Sequence, residues 1–128
     1  YLGGGIADPI PFRQAAADGH LRRVVVLTRN RGFRKPAPGR ALRVAIRLKY
    51  RRFPALAAAV ARQAETYNRQ LDELDAEEAA GRALVIRPSR PLAVGRYSQD
   101  RAELERLYQN GWADAEAVLP QLRDFLSP

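Results

Sequence analysis

The sequence contains no cysteine, no methionine and only one histidine, His20. The absence of cysteine excludes a disulfide scaffold and any thiolate-ligated metal site, and it fits a protein of a reducing compartment. A single histidine excludes a histidine-rich metal centre and leaves a Ser-His-Asp triad with one possible base. We therefore expect neither a metal ion nor a cofactor, and we interpret His20 as a surface or packing residue.

Long apolar runs and serine nucleophile motifs are missing as well. No apolar stretch approaches the roughly 20 residues that a membrane-spanning helix needs. The serines are Ser89, Ser98 and Ser127, and none of them lies in a G-x-S-x-G elbow. The sequence thus predicts a cytoplasmic protein, at most peripheral at a membrane, that carries no serine nucleophile of this kind.

Acidic residues are absent between Asp18 and Glu65, and more than half of the 22 lysines and arginines lie in this stretch. The net charge of the whole chain is +8. A basic block of this kind attracts anions such as phosphate, nucleic acid or acidic lipid. Nucleic acid is the less favoured partner, because no aromatic-interleaved basic strand, zinc-ligand pattern or known binding module accompanies the charge.

Within the basic stretch, the segment RALRVAIRLKYRRF has the spacing of an amphipathic helix. One face of this helix is cationic and consists of Arg40, Arg43, Arg47 and Arg51. The apolar residues that lie away from this face are Leu42, Ile46 and Phe53. Such a helix can rest on an anionic membrane surface, and it can equally be an ordinary surface helix packed on the core.

Apolar spacing predicts three further helices. The segment PFRQAAADGH is a short helix between Pro11 and Gly19, and a long helix begins at Pro54 and ends at Gly81. The last helix opens at Asp100, with Glu103 forming a capping box, and Pro120 interrupts or restarts it. Its expected inward positions are Leu104, Leu107, Tyr108, Trp112, Ala115 and Leu119.

Residues 24–27 and 84–86 are short, continuous apolar runs. The first of them is typical of a strand buried on both faces, as in parallel sheets. A long helical crossover joins the two runs, which favours parallel pairing within an α/β domain. Because an isolated strand pair is at best marginally stable, we expect the chain to be part of a larger α/β domain, completed by residues before Tyr1.

A series of segments follows in order along the chain: GGIADPIP, VVVLTR, GFRKP, YRRFPAL, YNRQLDELD, GRALVIRPSRPLAVGR and LYQNGWADA. Together they resemble the C-terminal half of bacterial patatin-like phospholipases. The resemblance implies a three-layer α/β/α fold with a mainly parallel sheet, a lipid or ester substrate and a serine–aspartate dyad. It also implies that the serine elbow and a glycine-rich oxyanion loop belong to an N-terminal half that this chain does not contain.

The resemblance places the family's dyad aspartate at Gly3, where this chain has no carboxylate. The aspartate belongs to a D-G-G or D-G-A motif, whose two glycines match Gly4 and Gly5. Without the carboxylate, nothing accepts the proton of the serine. Asp8 lies five residues further on, beside Pro9, where capping or turn formation is its expected role.

We therefore interpret residues 1–128 as the C-terminal portion of a patatin-like serine acyl hydrolase that is inactive as given. Its expected partners are a lipid or ester substrate, an anionic membrane surface and the absent N-terminal half of the same domain. The alternative is a stand-alone basic module that binds anionic membrane surfaces or nucleic acid.

Overall fold

A computed structural model describes residues 3–92, 95 and 98–127 of the chain. The chain divides into two compact units. The first unit comprises Tyr1–Gly19 and Arg34–Glu77, and the second comprises His20–Phe33 and Glu78–Pro128. Part of the segment GRALVIRPSRPLAVGR lies outside the described residues.

The first unit is helical. It contains a turn of 3-10 helix at Gly4–Ile6, followed by α1 (Phe12–Ala17), α2 (Arg40–Lys49) and most of α3 (Pro54–Ala79). Pro11 directly precedes α1, and Gly19, whose φ is +93°, follows its end. This backbone conformation disfavours any residue with a side chain, so Gly19 stops the helix as predicted.

The inward face of α3 forms most of the core of the first unit. Leu71 is buried on this face, and Leu74 has no exposed surface at all. The helix ends before Gly81, whose φ is +71°, as the sequence predicts. The other buried apolar residues of this unit are Ile10, Phe12, Ile46, Ala57 and Ala64.

The second unit contains a two-stranded parallel sheet and a long helix. β1 (Arg23–Val26) pairs in parallel with β2 (Ala83–Ile86), with Val24 beside Leu84 and Val26 beside Ile86. α4 (Arg101–Leu126) packs on β2. The strands and their parallel pairing therefore confirm the prediction from the two apolar runs.

One face of the sheet is less covered than its sequence predicts. Ala83 and Val85 of β2 are buried, whereas Val24 and Val26 of β1 are 38% and 70% exposed. Successive residues of a strand point to opposite faces, so Val24 and Val26, two residues apart, lie on the same face. The expectation that this strand is buried on both faces is wrong for the described residues. An apolar run shows that both faces of a strand can be buried, but it does not show which other elements of the chain cover them.

α4 begins at a side-chain cap and continues through a proline. The carboxylate of Asp100 accepts hydrogen bonds from the N–H groups of Ala102, at 2.8 Å, and Glu103, at 3.1 Å. Pro120 lies inside the helix, which runs without interruption to Leu126, so the predicted break is wrong. A proline removes one backbone hydrogen bond, and the many that remain in a 26-residue helix outweigh this loss.

α4 carries two apolar stripes, and most of the inward positions that the sequence predicts are exposed. The large exposed side chains are between 40% and 59% accessible and belong to Leu104, Tyr108, Trp112 and Leu119. Ala115 is exposed as well, and of the predicted set only Leu107 is half-buried. The half-buried stripe consists of Leu107, Val118, Leu122 and Phe125. Both stripes have helical spacing, so periodicity alone cannot decide which of them packs on the sheet.

The described elements are a mixture of helices and a small parallel sheet, so the α/β class is confirmed in this general form. The three-layer arrangement stays a prediction. No helix within residues 3–92, 95 and 98–127 is long and apolar enough to cross a membrane.

The complete burial of Leu74 leads to a prediction about stability. Leu74→Ala should lower the free energy of unfolding by about 2–5 kcal/mol, because it removes buried methyl groups and leaves a cavity. The matched control is Leu104→Ala, the same change at a side chain that is 44% exposed. There the loss should stay below about 1 kcal/mol. Urea unfolding followed by circular dichroism measures both, and equal losses would contradict this description of the core.

Candidate functional site

In the glycine segment, residues 3–5, Gly3 is extended and Gly4 and Gly5 begin the 3-10 turn. Gly3 has φ −62° and ψ 143°, a conformation that any residue can adopt. The N–H of Ile6 donates to the carbonyl of Gly3 at 3.2 Å, and the N–H of Ala7 donates to the carbonyl of Gly4 at 2.9 Å. Nothing lies within 4 Å of the place that a Cβ at Gly3 would occupy. The backbone and the space at Gly3 therefore both accept an aspartate.

Two glutamines of α3 hold the backbone that follows the glycines. Gln63 donates from Nε2 to the carbonyl of Gly5 at 2.8 Å. Gln70, which is only 4% exposed, accepts from the N–H of Ile10 at 3.1 Å and donates from Nε2 to the carboxylate of Asp8. A buried amide needs partners for both its groups, and Gln70 has them. Asp8 is thus engaged in holding this segment.

A third amide of α3, Asn68, fixes the segment before α2. Its Oδ1 accepts from the N–H of Lys35 at 2.8 Å, and its Nδ2 donates to the carbonyl of Lys35 at 3.0 Å. The Nζ of Lys35 in turn donates to Oε1 of Gln63 at 2.9 Å. We refer to Gln63, Asn68 and Gln70 as the amide clamp. The clamp attaches two non-helical segments of the first unit to a single helix.

Acidic residues further along α3 pair with arginines of the same unit. Arg13 of α1 donates from Nε to Oε2 of Glu73 at 2.7 Å and from Nη2 to Oε1. These hydrogen bonds raise the pKa of the Arg13 guanidinium above its usual value. Arg34 pairs with Asp72. Asp72 and Glu73 therefore serve as partners of arginines.

Three of the four arginines predicted on one helix face meet in a groove between α2 and α3. Arg43 and Arg47 come from α2, Arg51 from the turn after it, and Arg62 from α3. The groove has a volume of about 510 Å³. Its other lining residues are Tyr50, Pro54, Ala57, Ala58, Ala61 and Glu65. We refer to this cavity as the arginine groove.

Arg40 and Arg51 differ from the two central arginines of the predicted helix face. Arg40 lies in α2 with Arg43 and Arg47, at the predicted spacing, but it does not line the arginine groove. α2 ends at Lys49, and Tyr50 already has a non-helical φ of −106° and ψ of 26°, so Arg51 lies beyond the helix. Proline disfavours helical backbone at the residue before it, and Pro54 therefore limits how far α2 can extend.

α2 exposes most of its large apolar side chains. Ile46 is buried, whereas Leu42, Val44 and Leu48 are between 55% and 67% exposed. The same ten residues include three arginines and Lys49. Exposed aliphatic side chains beside basic ones are typical of a helix that lies at a membrane interface.

The serines and the histidine form no catalytic arrangement in the described part of the chain. The hydroxyl of Ser98 donates to Oε2 of Glu103 at 2.8 Å, and that of Ser127 donates to the carbonyl of Arg123 at 2.9 Å. His20 is exposed, as expected. A search of residues 3–92, 95 and 98–127 finds no group of three or more histidine, cysteine or acidic side chains that could hold a metal ion.

Sequence reasoning missed Arg62 and the amide clamp. Helical spacing places Arg62 on α3 but does not show which side of that helix faces α2. The clamp did leave a signal, because two amides occur within an inward stripe that is otherwise apolar or aromatic: Gln63, Tyr67, Gln70 and Leu74. A polar side chain in such a stripe predicts a specific buried hydrogen-bond partner.

The geometry at Gly3 generates a prediction with an internal control. Gly3→Asp should change the free energy of unfolding by no more than about 0.5 kcal/mol, because the residue is exposed and its φ is ordinary. Gly19→Asp makes the same chemical change at an exposed position with φ +93° and should cost about 1–2 kcal/mol. Urea unfolding compares the two variants. A larger loss at Gly3 than at Gly19 would show that the glycine segment is strained or packed.

Comparison with known proteins identifies a family for the larger part of the chain. No curated protein and no solved structure matches the chain. The matched region, residues 53–127, contains α3, β2 and α4, and with them Arg62 and the amide clamp. The glycine segment and α2 precede it. Because the match covers more than half of the sequence, the chain belongs to the family described as a domain of unknown function (DUF6363).

Proposed function

We propose that the chain is the C-terminal part of a patatin-like serine acyl hydrolase and is inactive by itself. The observation that carries this proposal is the parallel pairing of β1 and β2 with an apolar face left accessible at Val24 and Val26. Parallel strands occur almost only in sheets that are covered on both faces, and a lone pair is marginal in water. Strands and helices from an N-terminal half of the same domain would complete a three-layer α/β/α fold around this pair.

The glycine segment supports the same proposal. Gly3 stands where the resemblance puts the dyad aspartate, in an extended conformation with open space around it. The amide clamp fixes the backbone at Gly5 and at Ile10, so a carboxylate at Gly3 would extend from a held segment. With glycine in this place, no side chain accepts the proton of an attacking serine, and acyl transfer to an ester or lipid substrate lacks its base.

A second candidate function is attachment to an anionic membrane surface through α2. It is favoured by the exposure of Leu42, Val44 and Leu48 on a helix that also carries Arg40 and Lys49. The aliphatic side chains can enter the interface while the basic ones contact anionic headgroups. This function suits a hydrolase of lipids, and it also suits the alternative of a stand-alone basic module. Binding to nucleic acid has less support, because the charge is accompanied by no recognised binding module.

The hydrolase proposal predicts a gain of activity on one substitution in a longer chain. The gene should encode a G-x-S-x-G strand–helix turn upstream of Tyr1, and the chain should be joined to that segment. With Gly3 the joined protein should hydrolyse p-nitrophenyl esters only weakly. Gly3→Asp should raise the rate by about 10²–10⁴-fold, because it supplies the general base.

Two controls accompany this measurement. The chain alone should show no esterase activity above background, and circular dichroism should confirm that both joined proteins are folded. A start codon just before Tyr1, or a folded Gly3 protein as active as its Gly3→Asp variant, would contradict the dyad assignment. In the latter case Asp8, the next carboxylate along the chain, is the first residue to replace.

The membrane function predicts binding to anionic vesicles that weakens sharply with salt. Exposed charges are screened over about 8 Å at physiological ionic strength, so the basic residues act only at close range. Replacing Arg40, Arg43, Arg47 and Arg51 with glutamine should abolish cosedimentation with phosphatidylglycerol vesicles. The matched control replaces four exposed arginines of the second unit, Arg90, Arg101, Arg106 and Arg123, and removes the same charge.

The comparison of these two variants decides whether the effect is local. Vesicle binding that survives the changes near α2, or that is lost equally in both variants, would show that α2 is not the membrane contact. Tighter binding to duplex DNA than to vesicles would favour the nucleic-acid alternative.

A further inference from the structure

The arginine groove brings together several arginines that have no acidic partner among the described residues. Several arginines elsewhere in the described chain do pair with acids: Arg13 with Glu73, Arg34 with Asp72, and Arg31 and Arg87 with Glu78. In the part of the chain that the structure describes, Arg43, Arg47, Arg51 and Arg62 form no ion pair. Among the described residues that line the groove, Glu65 alone carries a carboxylate. The groove therefore gathers positive charge that no side chain of the described residues neutralises.

The position of these charges is set by rigid parts of the first unit. Arg43 and Arg47 are one turn apart on α2, and Arg62 belongs to the first half of α3. Arg43 is further held by a hydrogen bond from its Nε to the carbonyl of Pro38 at 3.1 Å. Arginines from two helices and the turn between them therefore line one cavity.

The walls of the groove combine this charge with apolar surface. Ala57 is buried, and Ala58 and Ala61 are half-buried, so one side is formed by small apolar side chains. Tyr50 and Pro54 add a ring each. A volume of about 510 Å³ lies within the range of small-molecule sites, roughly 300–1,000 Å³, and exceeds what a bare anion fills. A ligand that matches both features has an anionic group and an organic part.

We propose that the arginine groove binds a phosphate ester, whose phosphate contacts the guanidinium groups and whose organic part lies on the alanine side. Guanidinium groups bind phosphate through paired, charge-assisted hydrogen bonds, and a doubly charged phosphate monoester suits several of them at once. The ester can be a free small molecule or the headgroup of a lipid. The site does not depend on a serine–aspartate dyad, so its test is independent of the hydrolase proposal.

Calorimetry with phenyl phosphate tests this site on the chain as it is. Phenyl phosphate should bind, and inorganic phosphate should bind more weakly, because it has no group to contact the alanine side. Replacing Arg47 and Arg62 together with glutamine should weaken the binding of phenyl phosphate at least about tenfold. The matched control replaces Arg101 and Arg106, two exposed arginines outside the groove lining, and should weaken it less than about threefold.

A gain-of-binding variant excludes misfolding as an explanation. Glu65→Gln removes the single carboxylate of the groove lining and should tighten the binding of phenyl phosphate, because it removes repulsion of the phosphate. No binding of phenyl phosphate at millimolar concentration, equal weakening by the two double variants, or weaker binding by Glu65→Gln would overturn the proposal.

Vesicles distinguish the two sources of the phosphate. The comparison uses phosphatidylcholine vesicles with and without phosphatidic acid. If the change at Arg47 and Arg62 abolishes binding to the phosphatidic acid vesicles and the control change does not, the ligand is a lipid headgroup. If neither change affects vesicle binding while phenyl phosphate binding is lost at Arg47 and Arg62, the ligand is a free phosphate ester. Both outcomes support the site.

Discussion

Three side-chain amides on one helix are the interaction on which the geometry of the first unit depends. Backbone segments outside the α-helices need partners for their N–H and C=O groups. In the first unit α3 supplies such partners through Gln63, Asn68 and Gln70. The first and last of these fix the segment after the glycines. Asn68 fixes Lys35, five residues before the start of α2 at Arg40. The glycine segment and the arginine groove are therefore both positioned from the same helix.

The sequence predicts the elements of this fold well and their exposure less well. Gly19 and Gly81 mark helix ends because their positive φ disfavours other residues, and residues 23–26 form a strand because of their valines. Exposure depends on neighbours that lie far away in sequence. Thus Val26 and Trp112 belong to apolar patterns that correctly predict a strand and a helix, and both side chains are still accessible. The pattern indicates which side chains can be buried, but not which part of the chain covers them.

For the candidate sites too, the sequence predicts the local spacing of side chains but not which distant side chains lie beside them. Four arginines at helical spacing were recognisable as a cationic group, yet only three of them line the groove, and the fourth lining arginine, Arg62, belongs to another helix. The two halves of α3 differ in whether their charged side chains form ion pairs. Its later acids, such as Asp72 and Glu73, neutralise arginines, while its first half contributes Arg62 to a cavity without ion pairs in the described residues. Charge counted along the chain cannot show this separation.

The exposed stripe of α4 has a consequence for spectroscopy. Trp112 is the only tryptophan of the chain; it belongs to the second unit, and its ring centre lies 6.3 Å from that of Tyr108. Tryptophan emission therefore reports on the second unit alone, and Tyr50 and Tyr67 are chromophores of the first. A shift of the tryptophan emission to shorter wavelength would indicate that the stripe has become covered. Selective excitation of the tryptophan can thus follow the second unit in an unlabelled sample.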